Sequence, residues 1–156
     1  MESLRRVRAR VLLGELDVEV MPAWAVQALQ AGLDSPALLK LASMGPGELT
    51  CVPAVVTAAL QELGAPNLTE QQARWELAYA WAEAMLTGEL TPYEAAHRIW
   101  QDAWHPLDCP EQLSVFASEA SEWEDNPEHR STHQHRMIQD AHNLLRQPMP
   151  GHRDET

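Results

Sequence analysis

Residues 69–125 read TEQQARWELAYAWAEAMLTGELTPYEAAHRIWQDAWHPLDCPEQLSVFASEASEWED. Five of the six tryptophans lie here, as Trp75, Trp81, Trp100, Trp104 and Trp123. Two helix starts are written into it. Thr69 with Gln72, and Thr91 with Glu94, have capping-box spacing: the hydroxyl accepts the amide three residues on, and that residue's side chain returns to the cap amide. Pro92 at a first helical position strengthens the second start, and Gly88 separates the two helices.

The helix expected over about 70–87 is apolar nearly all round. From Leu77 to Leu86 only Glu83 is polar, and Gln72, Glu76 and Glu83 form one narrow strip. Such a helix is central and contacted on several sides. The next helix, ended by Pro106, places Tyr93, Ala96, Trp100, Ala103 and Trp104 inward and Glu94, Arg98, Gln101 and Asp102 outward. A third follows Pro110, with Leu113, Phe116, Ala117, Ala120 and Trp123 inward and Glu111, Ser118, Glu122 and Asp125 outward. Glu124 is the anomaly, a charged residue at the angle of the apolar stripe. It marks either fraying or a carboxylate held at an interface.

Outward from this stretch the pattern stays helical. Leu4, Val7 and Val11 share a face over 3–13, before Gly14. Residues 15–21 alternate polar and apolar but have no partner strand, so they read as an extended connector. Pro22 and Gly32 bracket a helix, Asp34-Ser35-Pro36 starts another with Leu38, Leu39 and Leu41, and Gly45-Pro46-Gly47 breaks the chain. A helix from about Pro53 to Leu63 turns Val55, Val56, Ala59, Leu60 and Leu63 inward. Asn126-Pro127 opens the last, with Met137, Ile138, Ala141, Leu144 and Leu145 as its stripe. The fold expected is all-α: a compact single-domain bundle of six to seven short helices around the 70–87 helix. The domain spans 1–147 and a flexible tail 148–156. A chain of 156 residues buries roughly 68–70% of its unfolded surface, enough for a sizeable core.

The net charge is −12, which argues against binding nucleic acid through its phosphates, because that needs basic residues. Between Glu48 and Glu128 fifteen acidic residues face only Arg74 and Arg98, whereas Arg5, Arg6, Arg8 and Arg10 crowd the start of the chain. Ten of the eleven basic residues are Arg, a bias that a GC-rich bacterial coding sequence also produces. Cys51 and Cys109 are too few for a disulfide framework and read as free, mostly buried thiols. No apolar run is long enough to span a membrane, and the short Val11-Leu12-Leu13 patch is no secretory signal. The cytoplasm is the expected location.

Motifs for chemistry are sparse. There is no Gly-x-Ser-x-Gly, no phosphate-cradling glycine loop and no His-Glu-x-x-His, so an enzyme is the less favoured class and no cofactor is expected. Glu94-x-x-His97 has the spacing of half a di-iron site, but the other half is missing and Glu94 is committed to capping. The first expectation is therefore a small acidic binding protein acting on a basic protein partner: an immunity or antidote protein, an adaptor or a regulator. The contact is the acidic rim at Glu111, Glu119, Glu122, Glu124 and Asp125, which otherwise is simply a solvated helix face. The second is a small-ligand protein or enzyme with a pocket lined by Trp75, Trp81, Trp100 and Trp104, to which Glu83 and His97 lend polar groups. Trp at helical spacing is more simply core. The third is a metal site on His129 and His133, four apart on a helix, with Asp140 on the same strip. Arg136 projects into that strip and would repel a cation, leaving solvated surface histidines as the plain reading. The apolar surface of the 70–87 helix leaves room for a homodimer.

Overall fold

Glycine and proline cut the chain into helix-length pieces, and each piece is a helix. A computed structural model describes residues 1–151. Eight α-helices occupy them: α1 (Leu4–Leu13), α2 (Met21–Gln30), α3 (Pro36–Ala42), α4 (Val52–Glu62), α5 (Glu70–Thr87), α6 (Pro92–Ile99), α7 (Glu111–Asp125) and α8 (Arg130–Arg146). Six to seven were expected. Among the described residues there is no strand. The alternating stretch 15–21 is a connector in which Leu16 and Val18 pack on the core and Val20 is left exposed, and α2 begins at its end. No described helix is long and apolar enough to cross a membrane.

The chain divides into two compact units, Met1–Ala73 and Arg74–Thr156, with the boundary just inside α5. Within the first unit, α1 packs on α4, α2 on α3 and α3 on α4. Val7, Trp24, Ala25, Ala28, Leu38, Leu41, Val52, Val56, Ala59 and Leu60 form its core. That set is the apolar stripes of the four sequences laid together. Leu39 is the exception, 54% exposed because its neighbours Leu38 and Leu41 take the inward side of a helix only seven residues long.

Local chemistry sets the ends. Gly14 closes α1 in the left-handed conformation (φ 70°), and its N–H bonds back to the Arg10 and Val11 carbonyls. Glycine adopts that backbone without a Cβ penalty. The start of α3 is satisfied from two directions. Ser35 Oγ accepts the Leu38 N–H at 2.9 Å, and the carboxylate of Glu62, at the end of α4, accepts the Ala37 N–H at 3.1 Å. The first is legible in the sequence and the second is not, since it spans 25 residues. At the N-terminus the Glu2 carbonyl accepts the Trp24 indole N–H at 2.9 Å, while its carboxylate takes Arg10 at 2.7 Å.

In the second unit α6, α7 and α8 pack pairwise on one another. Leu113, Phe116, Ala117 and Ala120 of α7 are buried, as are Met137, Ala141 and Leu144 of α8. Both capping boxes form. Thr69 Oγ1 accepts the Gln72 N–H at 3.1 Å and Gln72 Oε1 accepts the Thr69 N–H at 2.9 Å. Thr91 and Glu94 do the same at 3.2 and 3.0 Å. Helix α5 is buried without a break from Trp75 to Ala82, which is more than two turns, so every face is covered there. Glu76 lies inside that run at 4% exposure, and Glu83 is exposed. The narrow polar strip is thus not all solvated. Tyr79 reaches from α5 to the Gln147 carbonyl at 3.0 Å, closing the end of α8. Pro148 to Gly151 continue without helix, and the rest of the expected 148–156 tail lies outside the described residues.

Helix α6 does not end at Ile99. It widens into a π-helical turn, Trp100–Trp104. The bonds there run five residues back: the His105 N–H to the Trp100 carbonyl at 3.2 Å, and the Cys109 N–H to the Trp104 carbonyl at 2.8 Å. Pro106 has no N–H to offer the Asp102 carbonyl as an α-helix would require. That carbonyl accepts the Arg74 guanidinium instead, at 2.7 Å.

Ser35 is 4% exposed, so its loss strands a buried amide, whereas Ser3, which caps α1 at 3.1 Å, is open to water. Ser35→Ala is expected to cost about 1–2 kcal/mol and Ser3→Ala roughly 0.5. Urea unfolding of the two variants measures the difference, and equal losses would refute this account of α3.

Candidate functional site

Two constellations on the second unit bring polar and aromatic side chains together. The first lies in the seam between α7 and α8. Glu119 and His133 lie on the facing sides of the two helices, fourteen residues apart in sequence, and meet at 2.6 Å between Oε2 and Nδ1. An ionised carboxylate only accepts, so with Glu119 in that form the Nδ1–H is the donor. His133 is buried, and Arg136, one turn further along α8, stands 3.8 Å from the other Glu119 oxygen. Asp140 follows a turn later, half-buried. Loss of solvent pushes its carboxyl up to about 6, the nearby Glu119 charge pushes the same way, and Arg136 pulls it down.

The second constellation is a run of ring contacts across α6, α7 and the start of α8. The Arg130 guanidinium lies 3.9 Å over the Trp123 ring, and its Nε–H donates to the Trp123 carbonyl at 3.2 Å. Tyr93 stacks on Trp123 with centroids 4.1 Å apart and planes 11° from parallel. The Tyr93 hydroxyl donates to the Glu124 carboxylate, and that bond, with burial and the Glu124 charge, pushes the phenol up to about 12. From Tyr93 the run passes to His97 (5.7 Å), Trp100 (5.9 Å), His105 (6.4 Å) and Trp104 (4.9 Å). The π turn makes the last part possible. A five-residue repeat brings His105 back over Trp100, tilted 26°, where an α-helix would rotate it away. Trp104 is fixed by its indole N–H to Ser114 Oγ at 3.1 Å, which in turn donates to the Pro110 carbonyl.

The acidic rim divides. Glu111, Glu122, Glu124 and Asp125 are exposed, but Glu119 is turned into the α7–α8 seam with its side chain 16% exposed, so it is not part of an open face. Glu124 is an interface carboxylate rather than a frayed one, because Tyr93 holds it. The tryptophans divide as well. Trp75 and Trp81 are buried members of α5, Glu83 is exposed, and His97, Trp100 and Trp104 belong to the half-buried ring run. Of the proposed metal ligands, His133 and Asp140 lie along the seam with Glu119. His129 is exposed at the end of a 3-10 turn, Pro127–His129, directly ahead of α8. Among the described residues, no three His, Cys, Asp or Glu side chains are grouped so as to hold a metal ion. Both cysteines are free, and contrary to expectation both are exposed. Cys51 ends a 3-10 turn before α4, and Cys109 sits in the loop before α7 with φ 57°. Sequence reasoning missed the Glu119–His133 pair and the Tyr93–Trp123–Arg130 stack.

No family model, curated protein or solved structure matches this chain.

The seam makes stability depend on acid. The Asp140 carboxyl titrates near 6 in the folded protein and near its ordinary 3.8 when unfolded. Above pH 6 both states are ionised, and the folded state carries the cost of a poorly solvated charge. As pH falls from about 6 to about 4 the folded state takes up the proton first, and that cost is relieved. Because the carboxyl is only half-buried, solvent screening leaves about 1 kcal/mol. Asp140→Asn is expected to stabilise by that amount at pH 8, with the gain over wild type vanishing by pH 4. Thermal melts across that range read it, and a pH-independent gain would contradict the assignment.

Proposed function

We propose that this chain is a small binding protein whose acidic α7 face receives a basic protein partner. The observation that carries the reading is the outward stripe Glu111, Val115, Ser118, Glu122 and Asp125. These residues recur at spacings of three and four along a 15-residue helix, all exposed, with Val115 at 43%. Carboxylates at both ends of the stripe and the exposed Val115 between them give the face charge together with one apolar point of contact. Glu124 adds a fourth carboxylate, held beside the stripe by Tyr93. The net charge of −12 supplies a long-range field that steers a cationic partner toward it.

Antidotes, adaptors and regulators that block a cationic surface share this chemistry. The reading requires a soluble partner, and places it against α7 rather than against the Arg-rich α1.

A photo-crosslinking residue at Val115 is expected to capture a protein of high isoelectric point, and one at Thr57, on an uncharged face of α4, is not. With that partner purified, the triple variant Glu111→Lys, Glu122→Lys, Asp125→Lys is expected to slow association at least roughly tenfold at low salt, an effect fading at high salt. Unchanged association would refute the acidic-face reading.

A further inference from the structure

The ring run has an occupied end and an open end. At the occupied end, the chain's own Arg130 guanidinium covers Trp123, with the Glu124 and Asp125 carboxylates on the same turn of α7. At the open end, His97, Trp100 and Trp104 are half-buried and His105 is exposed. The segment bearing them carries exposed Glu94, Asp102, Asp108 and Glu111. Its one base is Arg98, and Arg74 reaches the Asp102 carbonyl. Aromatic faces attract cations through the ring quadrupole, and a planar guanidinium stacks on them better than an ammonium does. Arg130 shows, within this fold, which group such rings accept.

We propose that His97, Trp100, His105 and Trp104 form an arginine-reading surface, on which guanidinium groups of a partner stack while Glu94, Asp102 and Asp108 balance their charge. The inference rests on the reading of the chain as a receptor for a basic protein and names the side chain that is read. Arginine is preferred to lysine there, because the contact is with the plane of the group and not with its charge alone. The acidic α7 face makes no such distinction, since a field of carboxylates steers either cation.

The test uses the full chain, isotope-labelled, titrated with tetra-arginine amide and with tetra-lysine amide. The expected result is movement of the Trp100 and Trp104 indole N–H resonances with the arginine peptide, while those of buried Trp24 and Trp81 stay still. Affinity for arginine over lysine is expected to be roughly threefold or more, and Trp100→Leu is expected to weaken arginine binding roughly five- to tenfold. Because Trp100→Leu could disturb the π turn, Arg130→Ala provides a second arm: it uncovers Trp123, whose indole then joins the responding set. Equal affinity for the two peptides, or unmoved Trp100 and Trp104 indoles in the unmutated protein, would overturn the proposal. The α7 charge reversal separates the two readings. Binding lost on reversal but indifferent to arginine leaves the acidic face standing and the ring surface refuted. Arginine preference that survives reversal supports the ring surface, and association left unchanged by the same reversal refutes the acidic face.

Discussion

Inside the α7–α8 seam a carboxylate meets an imidazole, and the outer surface of the second unit is arranged around that contact. Glu119 and His133 are both largely withdrawn from water, so most of what each loses in solvation is met by the other. A buried polar group left unmatched is costly, which makes the register of α7 against α8 a discrete choice and not a sliding one. A rotation of α7 by one residue, about 100°, would break the pair and swing the face shared by Glu111, Glu122 and Asp125 through the same angle. The same register brings Arg130, at the first residue of α8, over Trp123 near the end of α7. The buried pairing and the outward face of α7 are therefore set together.

Much of the architecture was legible because its causes are local. A capping box, a glycine in the left-handed region and an apolar stripe each act over a few residues, and each is present where the spacing indicated. Thr69, Thr91 and Gly14 are clear cases. What the sequence hid depends on partners brought together by the fold. His133 reads as a surface residue in isolation, and only Glu119 from another helix makes its burial affordable. Glu62 capping α3, and Tyr93 holding Glu124, are invisible for the same reason. Helical angles did flag Glu124 as misplaced and Arg136 as a neighbour of Asp140, because those inferences needed only one helix each.

The π turn is a different kind of omission. Helical spacing from Tyr93 to Trp104 assumes one pitch throughout, and Pro106 breaks the assumption by withholding a donor. The local change in pitch is small, yet it decides which side chains share a face. At the α pitch Trp100 and His105 diverge, and at the π pitch they overlap. The ring run is thus a product of backbone geometry that a one-pitch projection does not reach.

In the binding role proposed above, the acidic stripe and the ring run answer different needs of one encounter. Exposed carboxylates act at a distance, raise the rate of meeting and are screened by salt, but each adds little once water has been shared. Aromatic rings act only in contact, and residues such as Trp and Tyr carry a large share of the binding energy where they are held rigid. Rigidity is what the second unit supplies: Trp104 is pinned by Ser114, Trp123 is clamped between Tyr93 and Arg130, and Tyr93 is tied to Glu124. Side chains fixed in this way lose little freedom when a partner arrives, so more of the contact energy is left for binding. In the role proposed for this chain, the −12 net charge attracts cations broadly and the pre-ordered rings retain those whose shape fits them.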